Sequence, residues 1–233
     1  MSMARLLVHV EGQTEESFVN EVLRDQLIGA GYESVSARII GNARLRRRRG
    51  GVRPWPSVRR DIVNHLNEDS GCIATTMVDY YGLPQQGDGE WPGRAVAASR
   101  LGMHRKASCV QDALRIDIAR TMGTGFDIRR FVPFVVMHEF EGLLFSDCAA
   151  FSRGIGREHL TSDFQAIRAA FQTPEDINDS PETSPSHRVE QLLVGYEKPL
   201  LGTLAVLEIG VGRIREECPH FREWMEKLES LVG

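Results

Sequence analysis

The stretch RLLVHVEGQTEESF, residues 5–18, joins an apolar strand to a helix through an acidic residue and a glycine. Residues 6–10 have the nearly continuous apolar character of a strand buried on both faces. Apolar residues then recur at helical spacing through Leu27, with Thr14 as the expected N-cap and acidic residues favourable in the first turn. Glu11, at the tip of the strand, is therefore either an ordinary turn residue or part of a metal site.

The rest of the first 150 residues repeats this alternation of strand and helix. Further apolar strands are expected at residues 34–40, 72–78 and 131–137, with helices after Pro56 and over residues 108–122. The order β-α-β-α-β-α-β predicts an α/β fold, a Rossmann-like parallel sheet with helices on both faces and right-handed crossovers. Residues 1–150 are expected to form this core, and residues 151–233 a helical layer packed on it, interrupted by a polar loop over residues 173–186.

The net charge of −4 conceals an uneven distribution of charge. Residues 34–60 contain nine arginines and neither Asp nor Glu, so subtracting nine from −4 leaves about −13 for the remaining residues. The chain has no apolar run of the roughly 18 to 20 residues that span a bilayer, and we expect a cytoplasmic protein without a membrane partner. Four dispersed cysteines without a CxxC pair are expected to be buried, reduced thiols.

Acidic residues close three of the four predicted strands. Glu11 follows the first strand, Asp79 the third, and Glu139 and Glu141 the fourth, where their spacing places both on one side of an extended segment. Ligands of open α/β sheets gather at this edge, and carboxylates that converge repel one another unless a cation joins them. Hard oxygen ligands favour Mg²⁺ or Mn²⁺ and phosphoryl-transfer chemistry. For each acid alone, the alternative is a solvated turn residue or a capping charge.

An arginine-rich loop follows the second predicted strand. One interpretation is that the loop binds a phosphate backbone through its charge, without recognising the base sequence. The alternative is a solvated loop without a binding role. Its candidate nucleic-acid-binding residues are Arg44, Arg46, Arg47, Arg48, Arg49 and Arg53. Trp55 and Trp91 could stack on bases, but tryptophan beside proline more often covers the core.

Other catalytic signatures are absent from the sequence or incomplete. HEFEG is not the HExxH of a zinc protease, because Gly142 stands where the second His would be. The chain has no P-loop and no GxSxG. His9 is expected to be a satisfied core residue, whereas His104 and His187 lie near loops that could reach the site.

Five segments resemble a bacterial domain-of-unknown-function family that is assigned to the TOPRIM-like group. They are VEGQTEE at 10–16, TTMVDYYGLP at 75–84, HEFEGLLFSD at 138–147, SPSHR at 184–188 and YEKPLLG at 196–202. The resemblance spans nearly the whole chain. It implies a TOPRIM-type version of the predicted sheet, the fold of domains in topoisomerases, bacterial primases and overcoming-lysogenization-defect nucleases.

The resemblance also implies roles for individual residues. It places the general acid or base of the family at Glu11 and the first metal-holding aspartate at Asp79. The second aspartate of the family's Asp-x-Asp is replaced by Tyr81, so Glu139 or Glu141 is expected to supply the missing carboxylate. Lys198 and Arg188 would add positive charge to the cleft.

Three functions follow as hypotheses. The first is a Mg²⁺- or Mn²⁺-dependent nuclease that cleaves nucleic-acid phosphodiesters, in a bacterial defence or mobile-element setting that the resemblance implies. The second is a catalytically degenerate binding or regulatory subunit that docks on a partner ATPase. The third is an enzyme acting on a small phosphorylated molecule, with Tyr80 and Tyr81 lining a pocket.

Overall fold

A parallel sheet organises the chain in the computed structural model, which describes residues 4–40, 52–100, 102–177 and 183–233. Within these ranges the sheet has five strands: β1 (Arg5–Val10), β2 (Ser34–Ile39), β3 (Cys72–Asp79), β4 (Phe131–Val132) and β5 (Val135–Val136). Their order is β2-β1-β3-β4, β5 also pairs with β3, and the strand pairs are parallel. The predicted α/β class with a parallel sheet is confirmed.

The helices occupy the crossovers and the C-terminal third. In the crossovers lie α1 (Gln13–Phe18), a π-helical turn (Val19–Leu23), α2 (Arg24–Ala30), α3 (Trp55–Glu68), α4 (Arg94–Ala98) and α5 (Met103–Met122). The later helices are α6 (Cys148–Gly154), α7 (Thr161–Ala169), α8 (Pro185–Leu192), α9 (Lys198–Ile209), α10 (Val211–Glu217) and α11 (Pro219–Glu229). Helix α8 begins inside the segment that was predicted to be a loop.

The first helix begins two residues earlier than predicted. Gly12, not Thr14, is the N-cap, and its N–H donates to Glu15 Oε2 at 2.9 Å. Thr14 lies within α1 and is buried. The side chain of Glu15 therefore accepts from a free backbone N–H at the helix start. Glycine has no side chain, so Gly12 cannot accept from the backbone N–H of Glu15 in return, as a serine or threonine N-cap would.

The fourth strand is split at Pro133. The sequence predicts one strand over residues 131–137, but Pro133 has no N–H to continue the ladder. The hydroxyl of Thr76 fills the gap, because its Oγ1 accepts from Phe134 N at 3.1 Å and donates to Phe134 O at 2.9 Å. The chain therefore keeps its direction beside β3 and delivers residues 138–141 to the same sheet edge as Asp79.

Both faces of the sheet are covered, but by different parts of the chain. Leu6, Val8 and Val10 of β1 pack in one apolar cluster with α1 and the C-terminal helices. The opposite face packs against α3 and α5. Trp224 of α11 donates from Nε1 to Thr75 Oγ1 of β3 at 2.9 Å, so the C-terminal helices contact the sheet directly.

Two C-terminal helices approach closely at Gly154. A Cβ added to Gly154 at the end of α6 would lie 2.7 Å from Ala205 Cα and 2.8 Å from Leu204 O of α9. Both neighbours are backbone atoms and cannot move aside alone. We expect Gly154→Ala to lower the free energy of unfolding by about 1–3 kcal/mol through overpacking, measured by urea denaturation.

Gly29→Ala is the matched control for this prediction. Gly29 lies in α2, and among the described residues no heavy atom outside its own helix lies within 4 Å of a Cβ built there. We expect Gly29→Ala to be neutral or to stabilise by up to about 1 kcal/mol. Equal destabilisation by both substitutions would contradict the close approach of α6 and α9.

Within the described ranges, no helix is both long and apolar enough to cross a membrane. The four cysteines are free thiols, and Cys72, Cys148 and Cys218 are buried, as predicted, whereas Cys109 is half-buried. Burial raises the pKa of Cys148 to about 11, which keeps this thiol protonated near neutral pH.

Candidate metal centre

The acids that follow β1 and β3 lie together because these two strands are neighbours. Glu11 comes directly after β1, and Asp79 is the last residue of β3. Glu11 Oε2 accepts a hydrogen bond from the backbone N–H of Asp79 at 3.3 Å. The structure therefore brings these two predicted site residues to one point at the carboxyl edge of the sheet.

Gly82 makes room for the carboxylate of Glu11. A Cβ at Gly82 would lie 3.2 Å from Glu11 Oε2 and 3.3 Å from Oε1, closer than side chains ordinarily pack. Gly82 ends the short 3₁₀ turn Tyr80–Gly82 that follows Asp79. The glycine of the DYYG segment thus permits the close approach of two strand-end loops.

Glu139 and Glu141 reach the same region by a route that the sequence did not predict. His138 has φ 74°, a left-handed conformation that is uncommon for a residue with a side chain. Glu139 follows in extended conformation, and Glu141 lies in the 3₁₀ helix Phe140–Ser146. The expected extended segment is therefore wrong, since a sharp turn and a helical turn orient the two carboxylates.

Lys198 stands between these two carboxylates. Its Nζ lies 3.8 Å from Glu139 Oε1 and 3.6 Å from Glu141 Oε2. Burial lowers the pKa of Lys198, but Glu141 and Glu139 outweigh this effect, so the pKa is raised and the ammonium stays charged. Lys198 is the first residue of α9, which carries the predicted positive charge into the acidic region.

The start of α8 also contacts this region. Glu139 Oε2 accepts from the backbone N–H of Ser186 at 2.9 Å, in the first turn of α8. A carboxylate is favoured there by the orphan N–H groups and the helix dipole. The segments SPSHR and YEKPLLG thus meet the acids of HEFEG through Ser186 and Lys198.

Glu15 is a member of the site that sequence reasoning missed. It is buried, and burial raises its pKa against the hydrogen bond from Gly12, with Lys198 and Glu139 among the interacting charges. The sequence suggested only a favourable charge in the first helical turn. Its signal in the sequence was its place in the first turn of the helix that directly follows Glu11.

Burial and crowding of like charge together shift the pKa values of the carboxylates at the site. The pKa of Asp79 is raised well above its ordinary value, first by burial and then by Glu11, Glu15, Glu139 and Glu141. Burial also raises the pKa of Glu141 to about 7, although Lys198 opposes this shift. Such shifts are typical of functional sites, where charge is concentrated at a cost in stability.

The carboxylates suit a hard divalent cation. Among the described residues, Asp79 Oδ1 and Glu141 Oε1 are buried without a hydrogen-bond partner, which is costly for a carboxylate oxygen. Within the same residues, no three of these acids each place an oxygen within 4.8 Å of the others. Mg²⁺ and Mn²⁺ nevertheless fit, because they commonly use one or two carboxylates and take further oxygens from water and phosphate.

The aromatic residues around the site differ in exposure. Tyr80 is buried beneath Arg94, whose Cζ lies 3.8 Å from the ring centroid, so Tyr80 does not line a pocket as the third hypothesis required. Tyr81 is 49% exposed and stacks on His138 with ring centroids 5.2 Å apart. Burial, followed by Glu141 and Glu139, raises the pKa of Tyr196, a second residue that sequence reasoning missed.

Of the predicted basic residues, Lys198 lies at the site, whereas two described arginines have partners elsewhere in the fold. Arg53 is held by Asp61 at 2.5 Å and by Ile40 O at 2.8 Å, so it is engaged within the fold. Arg188 donates to Thr183 O at 2.8 Å. The remaining residues of the proposed basic surface lie outside the described residues: Arg44, Arg46, Arg47, Arg48 and Arg49.

The candidate stacking residues and histidines have structural partners. Trp55 and Trp91 are buried and donate from their indole N–H groups to Asp117 Oδ2 and Arg53 O. His9 contacts Thr75 O and the ring of His65, each at 3.2 Å, as expected of a core histidine. His104 contacts Glu223 at 3.2 Å and not the acids at the sheet edge.

Fold and site together define an α/β protein whose parallel sheet carries a partly buried acidic cluster at its carboxyl edge. The chain belongs to the family described as a domain of unknown function (DUF4276), whose model matches residues 10–229. No curated protein matches the sequence.

Among solved structures, the chain is similar to the C-terminal region of the Xanthomonas campestris pv. campestris OLD protein. The structure phased with iodine aligns at 15% identity with a TM-score of 0.45, covering 100% of this chain and 97% of that chain. The structure phased with platinum aligns at 15% identity with a TM-score of 0.44, covering 98% and 94%.

The contact between Gly82 and Glu11 gives a testable prediction. Gly82→Ala forces the Glu11 carboxylate to move by a few tenths of an ångström, because the added Cβ would lie 3.2 Å from Oε2. We expect Mn²⁺ affinity, measured by calorimetry, to fall about tenfold, since such a displacement costs about 1.4 kcal/mol of ligand geometry. Gly29→Ala, at an open position of α2 outside this contact, should retain wild-type affinity.

Proposed function

We propose that the chain is a Mg²⁺- or Mn²⁺-dependent nuclease of TOPRIM-like type that hydrolyses nucleic-acid phosphodiesters. The observation that carries the proposal is the convergence of buried and partly buried carboxylates, with Asp79 Oδ1 and Glu141 Oε1 lacking hydrogen-bond partners among the described residues. The TOPRIM-like assignment rests on the motif resemblance, which places the general acid or base at Glu11.

The proposed ligands are the four acids that follow the strands. Glu11, Asp79, Glu139 and Glu141 would hold the cation, and Glu15 would add negative charge from the helix start. A divalent cation bound there would orient a phosphate and activate water. The backbone N–H groups of Asp79 and Ser186 would hold the carboxylates of Glu11 and Glu139 in position.

Lys198 has a distinct role in this proposal. Its ammonium is partly exposed beside Glu139 and Glu141, where it can also contact an entering phosphate. A positive charge at this position would stabilise the negative charge that develops during phosphoryl transfer. Glu11 accepts from the backbone N–H of Asp79, and in this proposal it would serve as the general acid or base.

A second candidate is a non-catalytic subunit that binds a partner ATPase through the C-terminal helices. Three observations favour it. Tyr81 stands in place of the second aspartate, and Lys198 already neutralises part of the acidic cluster. In addition, α9 exposes Leu200, Leu204 and Leu207 on one helical face, an apolar stripe that suits a protein partner.

The deciding experiment incubates the purified chain with plasmid DNA, single-stranded DNA and RNA in Mn²⁺, in Mg²⁺ and in EDTA. The nuclease proposal predicts cleavage that depends on the metal and disappears in Glu11→Gln. Calorimetric metal binding without cleavage of any of these substrates would favour the subunit, and Leu204→Glu would then be the variant with which to test docking. Failure to bind either metal at millimolar concentration, with the fold intact, would refute the nuclease proposal.

A further inference from the structure

A second group of potential metal ligands lies between α5 and α11. His104 near the start of α5 faces His220 and Glu223 of α11, and one ligand atom from each lies within 4.8 Å of the others. Within the described ranges this is the one group of three His, Cys, Asp or Glu side chains that meets this distance. It shares no residue with the acidic cluster at the strand ends.

His220 is oriented as a metal-binding histidine would be. Its Nε2 lies 3.1 Å from Val135 O, so this nitrogen carries the proton and donates to the carbonyl. Nδ1 is then the atom with the lone pair. Among the described residues it has no hydrogen-bond partner, although the residue is only 6% exposed. Metal-bound histidines usually donate their second N–H to such a carbonyl, which fixes the tautomer and the ring.

The two other ligands approach from the solvent side. His104 Nε2 lies 3.2 Å from Glu223 Oε1, and both side chains are about half-exposed. His104 and His220 are in ring contact, with centroids 5.1 Å apart. Glu223 follows His220 by three residues on α11, so both point from one face of the helix. His104 and Glu223 are exposed enough to move toward a bound cation, whereas the hydrogen bond to Val135 O holds His220 in place.

The surrounding charges are compatible with a cation. Glu175 accepts from the backbone N–H groups of His220 and Phe221 at 2.9 Å and holds the first turn of α11 in place. Metal binding requires the neutral imidazole with a free lone pair, which Nδ1 of His220 offers when Nε2 donates to Val135 O. Lys227 is a nearby positive charge, and Glu223 is a nearby negative charge.

We propose that His104, His220 and Glu223 form a site for a divalent transition metal of the Zn²⁺ class that fixes α11 to α5. Two imidazoles and one carboxylate are a common zinc ligand set with a fourth position open to water. The harder Mg²⁺ and Mn²⁺ prefer the all-oxygen cluster, so the two sites would differ in metal preference. This proposal is independent of the nuclease proposal.

The test measures Zn²⁺ binding by calorimetry, and Co²⁺ binding by its visible absorption, in excess Mg²⁺ so that the oxygen site is occupied. We expect one equivalent of bound Zn²⁺ and a tetrahedral Co²⁺ spectrum without sulfur-to-metal charge transfer. His104→Ala and Glu223→Gln should each weaken binding by more than about 100-fold, because outer-shell partners alone contribute about 10- to 100-fold.

His159→Ala, at an exposed histidine outside the group, is the matched control and should bind as wild type does. Both test residues are half-exposed, so the variants are expected to fold, and circular dichroism checks this. The proposal is overturned if no Zn²⁺ equivalent binds in excess Mg²⁺, or if the equivalent persists in His104→Ala and Glu223→Gln.

Discussion

Asp79→Asn is expected to abolish metal-dependent cleavage and at the same time to stabilise the protein in EDTA. The substitution keeps the shape of the side chain but removes a charge that burial and four neighbouring glutamates disfavour. We expect cleavage to fall by about 10³-fold or more, because a metal-bound transition state loses several kcal/mol when a ligand is lost. The gain in free energy of unfolding should be about 1 kcal/mol, or about 2–4 °C in Tm.

Loss of cleavage together with a gain in stability distinguishes an acid that holds a cation from an acid that supports the fold. In wild type, Mg²⁺ should raise Tm by binding the folded state, and this shift should vanish in Asp79→Asn. Asp112→Asn, at an exposed position of α5, should alter neither the shift nor cleavage. A destabilised Asp79→Asn protein that still responds to Mg²⁺ would show that Asp79 supports the fold and does not hold the cation.

Stability in EDTA is expected to fall as the pH rises from about 5 to about 8, with Glu141 as a principal cause. Burial raises its pKa to about 7 from an ordinary value of 4.5, so the folded state binds more protons than the unfolded state in this window. The contribution of protonated Glu141 is present below pH 4.5 and is lost as the pH passes 7. At 1.36 kcal/mol per pKa unit, the loss is about 3 kcal/mol.

The comparison with Glu141→Gln isolates this contribution. Glu175 titrates in the same direction, whereas His9 and His220 have lowered pKa values and act in the opposite direction below pH 6.5. The difference in unfolding free energy between wild type and Glu141→Gln, measured by urea denaturation at pH 5, 6, 7 and 8, should therefore change by about 3 kcal/mol. A difference that does not vary with pH would contradict the raised pKa of Glu141.

Mg²⁺ should reverse the pH effect if the acids form a cation site. Protons and metal compete for the same carboxylates, so the Tm increase caused by Mg²⁺ should be large at pH 8 and small at pH 5. The same titration in Glu141→Gln should show a smaller increase at pH 8. An increase that is equal at both pH values would place the responsible cation elsewhere.

The strand ends illustrate how much the sequence revealed about the site. Glu11 and Asp79 could be placed at one sheet edge because apolar strands that alternate with helices imply a parallel sheet, and acids that close such strands meet there. The sequence placed Glu139 and Glu141 at the correct edge of the sheet but predicted the wrong backbone conformation for them. Their orientation depends on the left-handed turn at His138, which no local propensity predicts.

Other residues could not be assigned because their partners are remote in sequence. In the sequence, Glu15 has only the features of an ordinary acid in the first turn of a helix. The structure places Lys198 and Glu139 close enough to interact with its charge. Likewise, His104 and His220 are 116 positions apart and gave no spacing signal for a metal site. Arg53 looked like part of a basic surface, but Asp61 on α3 engages it.

The sequence by itself determined the alternation of elements, the parallel sheet and the acids at its strand ends, because these depend on local periodicity and on the direction of parallel strands. Only the tertiary structure decided which side chains lie next to one another. Packing of α9 and α11 against the sheet brings Lys198 to the acids and His220 to His104. Such contacts depend on how distant helices pack, and therefore leave no pattern within any single segment.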